Sequence, residues 1–180
     1  DLAVNVPNRM DEFCALVRRT HSHDLKALID FVPNHVGRQY HSVVKPDGIR
    51  DLGEDDRTDY FFEKNNNFYY LQGQSLTLPC GNDGYRESPA KVTGNDCFSS
   101  TPSVNDWYET IKLNYGVDCS NWTRHFAPIP STWHKMLDIL LFWCQKGIDG
   151  FRCDMAHMVP VEFWHWAIGE VKVKYPNVIF

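Results

Sequence analysis

The sequence predicts a parallel α/β fold carrying a long insertion, and three observations support this. Helix-like and strand-like segments alternate through residues 8–36 and again through 131–180. The strand-like segments, KALIDFVPNHVG and IDGFRCDM, are near-continuous apolar runs, the pattern of strands covered on both faces. Between the two blocks lie residues 37–130, far more than the few that usually join a strand to its next helix.

The first helix is expected over residues 8–21, NRMDEFCALVRRTH. Asn8 can cap its N-terminus with Asp11 near the third helical position, and Phe13, Leu16, Val17 and Thr20 recur at helical spacing. KALIDFVPNHVG then reads as one buried strand with Asn34 and His35 at its C-terminal end. A second helix spans residues 131–147, with Ser131 or Thr132 as cap, a stripe of Trp133, Met136, Leu137, Leu140, Leu141 and Cys144, and Gly147 as terminator. IDGFRCDM supplies the second strand. Pro160 opens a third helix whose inner face carries Trp164, Ala167, Ile168, Val171 and Tyr175, and NVIF at 177–180 begins a third strand. The insertion is rich in Asn, Asp, Gly, Pro and Tyr, with short strand-like pieces such as FYYLQ and TIKLNY, and reads as a small subdomain on the C-terminal side of the sheet.

Composition narrows the function classes. A net charge of −5 argues against a nucleic-acid surface, which needs clustered Lys and Arg. No apolar run approaches the length of a membrane span, so no membrane role is expected. The six cysteines follow no zinc spacing. Cys14, Cys144 and Cys153 read as buried thiols, Cys80, Cys97 and Cys119 allow one disulfide, and the compartment stays open. His21 and His23 precede their strand and so fall at the N-terminal face, away from any site at the strand ends. The sequon at Asn121 matters only in a glycosylating compartment.

In parallel α/β folds ligands sit at the carboxyl ends of the strands. Arg152 and Asp154, two residues apart, point to the same side of their strand, which in a closed barrel is the interior. A guanidinium beside a carboxylate favours the ionised form. A fixed, ionised carboxylate there suits nucleophilic attack or stabilisation of positive charge, as glycoside cleavage requires. The alternative is a purely structural ion pair.

These residues match a family. DFVPNH, Asp30 to His35, resembles the first conserved region of the α-amylase superfamily, glycoside hydrolase family 13. GFRCD, Gly150 to Asp154, resembles its second region, and IKLN, Ile111 to Asn114, is similar to the short motif near the end of the family's protruding subdomain, in its neopullulanase-like form. The resemblance implies a partial (β/α)8 TIM barrel, about strands 3 to 5, with the inserted subdomain after strand 3. Residues 1–36 would supply helix 2 and strand 3, residues 37–130 subdomain B, and residues 131–180 helix 3, strand 4, helix 4 and the start of strand 5.

The implied activity is a retaining glycosidase or transglycosylase acting on α-1,4 or α-1,6 bonds of an α-glucan or maltooligosaccharide. Asp154 would be the nucleophile, Arg152 the group that fixes it, and His35 a hydrogen-bond donor to the sugar at the cleavage point. Asp30, deeper in its strand, would hold Arg152. His157 is a second candidate for sugar contact, and Tyr69, Tyr70, Trp107 and Tyr108 are candidate stacking platforms in the insertion.

Asn34 and Asn114 fall where relatives bind a structural calcium, and no organic cofactor is implied. Lys112 replaces an acidic residue common in calcium-binding members, so the sequence leaves a calcium site and a calcium-free one both open. His157 and Met158 stand where many relatives have Lys-His. The family's general acid follows the fifth strand, beyond Phe180, so these 180 residues are expected to be inactive alone. A non-catalytic relative serving in carbohydrate binding or assembly is the alternative. The open strand edges of a partial barrel make self-association an expectation.

Overall fold

Asn8 opens α1, Arg9–Ser22, with its side-chain oxygen accepting from the Asp11 amide at 3.3 Å. The computed structural model describes residues 8–42, 45 and 47–180. Val17 is buried and Phe13 meets Trp143 edge-on, whereas Leu16, expected on the inner face, is exposed. After a short turn the chain enters β1, Leu28–Phe31.

Here the structure departs from the single strand expected of KALIDFVPNHVG. The ladder stops at Phe31, and Pro33 offers no N–H to continue it. The chain turns, and His35–Gly37 form a separate strand, β2. The segment up to residue 130 then builds β3 (Tyr70–Leu71), β4 (Ala90–Lys91), β5 (Thr110–Lys112), β6 (Val117–Asp118) and β7 (Thr123–Arg124). They pair antiparallel as β2 with β5, β3 with β4, and β6 with β7.

This segment has its own apolar cluster of Tyr69, Leu71, Leu76, Ala90 and Val92. It also buries an ion pair, Arg38 Nη1 to Glu87 Oε1 at 2.6 Å. Its backbone is tied to the second block through Asn67, whose side-chain amide donates to Thr132 Oγ1 at 3.0 Å and accepts from Lys135 Nζ at 2.9 Å.

The second block starts with α2, Ser131–Gln145. Its cap is Pro130 rather than Ser131 or Thr132, because both hydroxyls accept from Asn67 and are spent on that tie. Then come β8, Gly150–Cys153, and α3, Val161–Lys174. The inner face of α3 is rotated from expectation. Phe163, Ala167 and Val171 are buried, while Trp164, Ile168 and Tyr175 flank them half-buried. Trp164 turns aside because its indole N–H donates to the Ala156 carbonyl at 3.0 Å.

β8 is the parallel neighbour of β1, with Leu28 opposite Gly150 and Asp30 opposite Arg152. A third parallel position is held by Ile179, bridged to Gly150. Gly150 is required there, since a Cβ would lie 2.7 Å from the Ile179 carbonyl oxygen. One face of this sheet rests on α2 and α3, where Phe31, Leu140, Phe151, Phe163 and Val171 form the main core. Phe151 packs against Phe31 and Phe180, at centroid distances of 5.9 and 5.4 Å. The other face, carrying Leu28, Asp30 and Arg152, is open, so β1 is half-buried rather than covered on both sides. All six cysteines are free; Cys144 is buried and Cys14 and Cys153 only partly so. No described helix is long and apolar enough to cross a membrane.

Candidate active site

The pairing of Asp30 with Arg152 puts both on the open face of the sheet, and Asp154 joins them one residue past the end of β8. The Asp154 amide donates to the Phe31 carbonyl at 2.9 Å, extending the ladder by one bond. Met155 then takes a left-handed conformation (φ 50°), and the chain enters a short 3-10 turn, Ala156–Met158. Asp154 is thus fixed at its root by a strand bond.

Arg152 Nη1 lies 2.9 Å from Asp154 Oδ1 and 3.7 Å from Asp30 Oδ2, so one guanidinium bridges two carboxylates from adjacent strands. The pair is less enclosed than the sequence implied. The Arg152 side chain is 61% exposed and that of Asp154 31%. Solvent screens it, and the ion pair itself is worth at most about 1 kcal/mol to the fold. What the arrangement provides is aim: a carboxylate oxygen held by charge-assisted contact at the C-terminal edge of the sheet.

His35 approaches from β2. Burial pushes its imidazole below the ordinary pKa, the Asp154 carboxylate pulls it back up, and the Lys112 ammonium pushes it further down. Its ring lies 5.4 Å from the Trp107 ring. Gly94 lies against it, since a Cβ there would stand 2.8 Å from the His35 Cβ. The imidazole is therefore wedged between a ring and a backbone, close enough to Asp154 to feel its charge. Asp30, Arg152 and Asp154 form one cluster, and the Asp154 charge acts on His35, whose ring faces Trp107.

Other candidates fall elsewhere. Tyr69 and Tyr70 are 1% and 3% exposed, and their hydroxyls donate to the Val117 carbonyl and to Asp56. Tyr69 packs in the insertion's own apolar cluster and borders the same cleft as His157, while Tyr70 belongs to the main core. Tyr108 is half-buried, with its carbonyl accepting from Arg38 Nε. His157 is exposed and lines a cleft of about 1060 Å³ together with Cys153 and Ala156, the chain neighbours of Asp154.

Across that cleft stands Trp122, a residue the sequence reading missed. It is 68% exposed and sits in the β6–β7 hairpin in a left-handed conformation (φ 62°). The hairpin is anchored by the Arg124–Glu162 ion pair to the start of α3. A lone aromatic inside the polar run CSNWTRH was the available signal. At the amino-terminal edge of the sheet, His21 Nε2 meets Asp149 Oδ2 at 2.8 Å, a structural pairing remote from Asp154.

The residues implied for calcium do not fit such an ion. Asn114 is fully buried, its amide nitrogen donating to the Glu63 carbonyl at 2.9 Å and its oxygen accepting from the Gly116 amide at 2.8 Å. Asn34 donates to the Gly94 carbonyl at 2.7 Å and turns its oxygen to Lys112 Nζ at 3.3 Å. Calcium needs six to eight oxygens (about 2.3–2.6 Å away), and these two amides are already committed to separate partners. Among the described residues no three His, Cys, Asp or Glu side chains group as metal ligands.

These features make up a parallel α/β segment with two carboxylates and an arginine at its carboxyl edge. The family model for the alpha amylase catalytic domain matches residues 8–177, and the chain belongs to that family.

Its curated relatives include alpha-1,4-glucan:maltose-1-phosphate maltosyltransferases. That of Cereibacter sphaeroides is 46% identical over 58 residues, 31% of this chain and 10% of the relative. That of Rhodospirillum rubrum is 44% identical over 64 residues, 36% of this chain and 9% of the relative. Similar solved structures include an alpha-amylase from Lactobacillus plantarum, with a TM-score of 0.54, 24% identity, and coverage of 96% of this chain and 28% of that one. A cyclic alpha-maltosyl-(1→6)-maltose hydrolase from Arthrobacter globiformis in complex with maltose gives a TM-score of 0.58 at 20% identity, covering 95% and 31%. The likeness to these structures shows a shared fold, a partial (β/α)8 arrangement. The chain spans about a tenth of the length of the curated relatives it matches.

Proposed function

We propose that these residues form the nucleophile half of a retaining glycosidase or transglycosylase acting on α-1,4 or α-1,6 glucosidic bonds. The observation that carries this is the Arg152 bridge, which holds the Asp154 oxygen at the carboxyl edge of two parallel strands with His35 beside it. Family membership supports the reaction class, and relatives named for maltosyl transfer and maltosyl-maltose hydrolysis support a glucan substrate.

In this reading Asp154 attacks the anomeric carbon and the leaving oxygen takes a proton from a second carboxyl group. Arg152 holds the Asp154 carboxylate oriented for attack. His35 donates a hydrogen bond to a hydroxyl of the sugar at the cleavage point. Trp107 buttresses the imidazole; His157 and Trp122 border the cleft through which the glucan runs. Residues 37–130 act as the inserted subdomain that supplies His35's second strand and the far wall of that cleft.

Among the described residues Glu162 pairs with Arg124 and Glu170 lies exposed on α3, so neither serves as the proton donor. The test is proton NMR of maltooligosaccharide cleavage by the full-length protein: products that first appear in the α configuration support the reading. Initial β products, or no turnover by a folded full-length protein, would overturn it, the latter in favour of a binding or assembly role.

A further inference from the structure

We infer that Lys112 places a fixed ammonium where a divalent cation would otherwise be needed, fastening the turn around Asp96 to the strand end at Asn34. Three segments distant in sequence meet there: residue 34 beyond β1, the Gly94–Cys97 turn, and β5. Lys112 is held by its own backbone, with its amide donating to the Val92 carbonyl at 2.9 Å and its Cα opposite His35 in the β2–β5 register. The residue is 8% exposed, so its side chain is directed inward.

At the tip, Nζ lies 2.5 Å from Asp96 Oδ1 and 3.3 Å from Asn34 Oδ1. That Asp96 oxygen is buried and has no other hydrogen-bond partner, so the ammonium is what compensates it. The amide nitrogen of Asn34 donates to the Gly94 carbonyl, which fixes the direction of its oxygen toward Lys112.

The oxygens that converge here, from Asn34 and Asp96, are of the type that hard cations take. The ammonium already stands among them. A calcium ion added to the same oxygens would lie against a positive charge in a half-buried site, where the repulsion is weakly screened. Lysine also saturates at three donors and cannot be lost to a chelator. The junction beside His35 is therefore built to hold without metal. This inference stands on side-chain geometry and is independent of the glucan reading.

The experiment is thermal denaturation and calorimetric titration of chelator-stripped protein with calcium chloride. The expected result is a Tm equal within about 1 °C in calcium and in chelator, and no heat of calcium binding. Lys112→Met is expected to lower Tm by roughly 5–10 °C, as loss of one partner of a half-buried pair does. Lys112→Asp is expected to lose stability in chelator and to regain part of it in calcium, because the cation position is then vacated and ringed by acids.

A calcium-induced rise in Tm of the unmodified protein that Asn34→Ala abolishes would overturn the inference. So would an unchanged Tm for Lys112→Met, or a folded Lys112→Asp that ignores calcium. If neither variant folds, the unmodified protein's response to calcium decides alone.

Discussion

Removing a single oxygen at Tyr115 should loosen the bend that delivers His35. The Tyr115 side chain is buried, and its hydroxyl donates to the Pro33 carbonyl at 2.7 Å across the main core. Pro33 lies between β1 and β2, at the point where the chain leaves the parallel ladder and turns toward the site. Pro33 itself is buried. In Tyr115→Phe the ring keeps its edge-on packing against Phe163, 4.8 Å between centroids, so the change isolates the hydrogen bond.

A buried acceptor left without a donor costs about 1–3 kcal/mol. At about 2–4 °C per kcal/mol for a chain of this size, Tm should fall by roughly 2–12 °C. The assay is a thermal melt followed by circular dichroism, with Tyr40→Phe as the control. Tyr40 is exposed and among the described residues its hydroxyl meets only Ser42, at 3.3 Å, so that variant should melt within about 1 °C of the parent. Equal melting of Tyr115→Phe and Tyr40→Phe would refute the claim that this bond fixes the bend.

Three further predictions concern other parts of the molecule. Glu87→Gln leaves Arg38 buried without its counter-charge, with side chains 4% and 3% exposed in the pair, and should cost about 3–5 kcal/mol by urea denaturation. His35, its pKa held below the ordinary 6.5 first by burial, binds its proton less readily folded than unfolded. Below about pH 6.5 the unfolded chain holds more protons, so stability should fall as pH drops, and His35→Gln should flatten that part of a Tm-versus-pH curve. The groups acting on the imidazole are Asp154, Lys112, Asn34 and Trp107. Trp122→Ala should leave Tm unchanged while weakening maltooligosaccharide binding to the full-length protein about five-fold by calorimetry, the loss of about 1 kcal/mol of ring contact.

The parts of the structure legible in the sequence are those set by local periodicity and by short runs. The α1 cap at Asn8, the end of α2 near Gly147 and the parallel pairing of IDGFRCDM with ALIDF all follow from spacing. So does the same-side placement of Arg152 and Asp154, because a strand's side chains alternate. What spacing could not show was where a strand stops pairing. DFVPNH reads as continuous, yet Pro33 ends the ladder and hands His35 to an antiparallel partner more than seventy residues away.

The burial of the tyrosines was hidden for a related reason. Tyr69 packs in the insertion's own cluster and Tyr70 in the main core, an outcome set by which distant apolar residues fold together. Lys112 was noticed only for the acid it replaces. That its ammonium would meet Asp96 required knowing that β5 and the Gly94–Cys97 turn are neighbours, which no local pattern encodes.

The most direct test of the central assignment is to trap the reaction on the protein. The full-length protein, incubated with an activated fluorinated glucosyl substrate that slows the second step, should gain the mass of one glucosyl group on the peptide containing Asp154, and Asp154→Asn should gain none. A covalent label on any other carboxylate, or hydrolysis undiminished in Asp154→Asn, would contradict it.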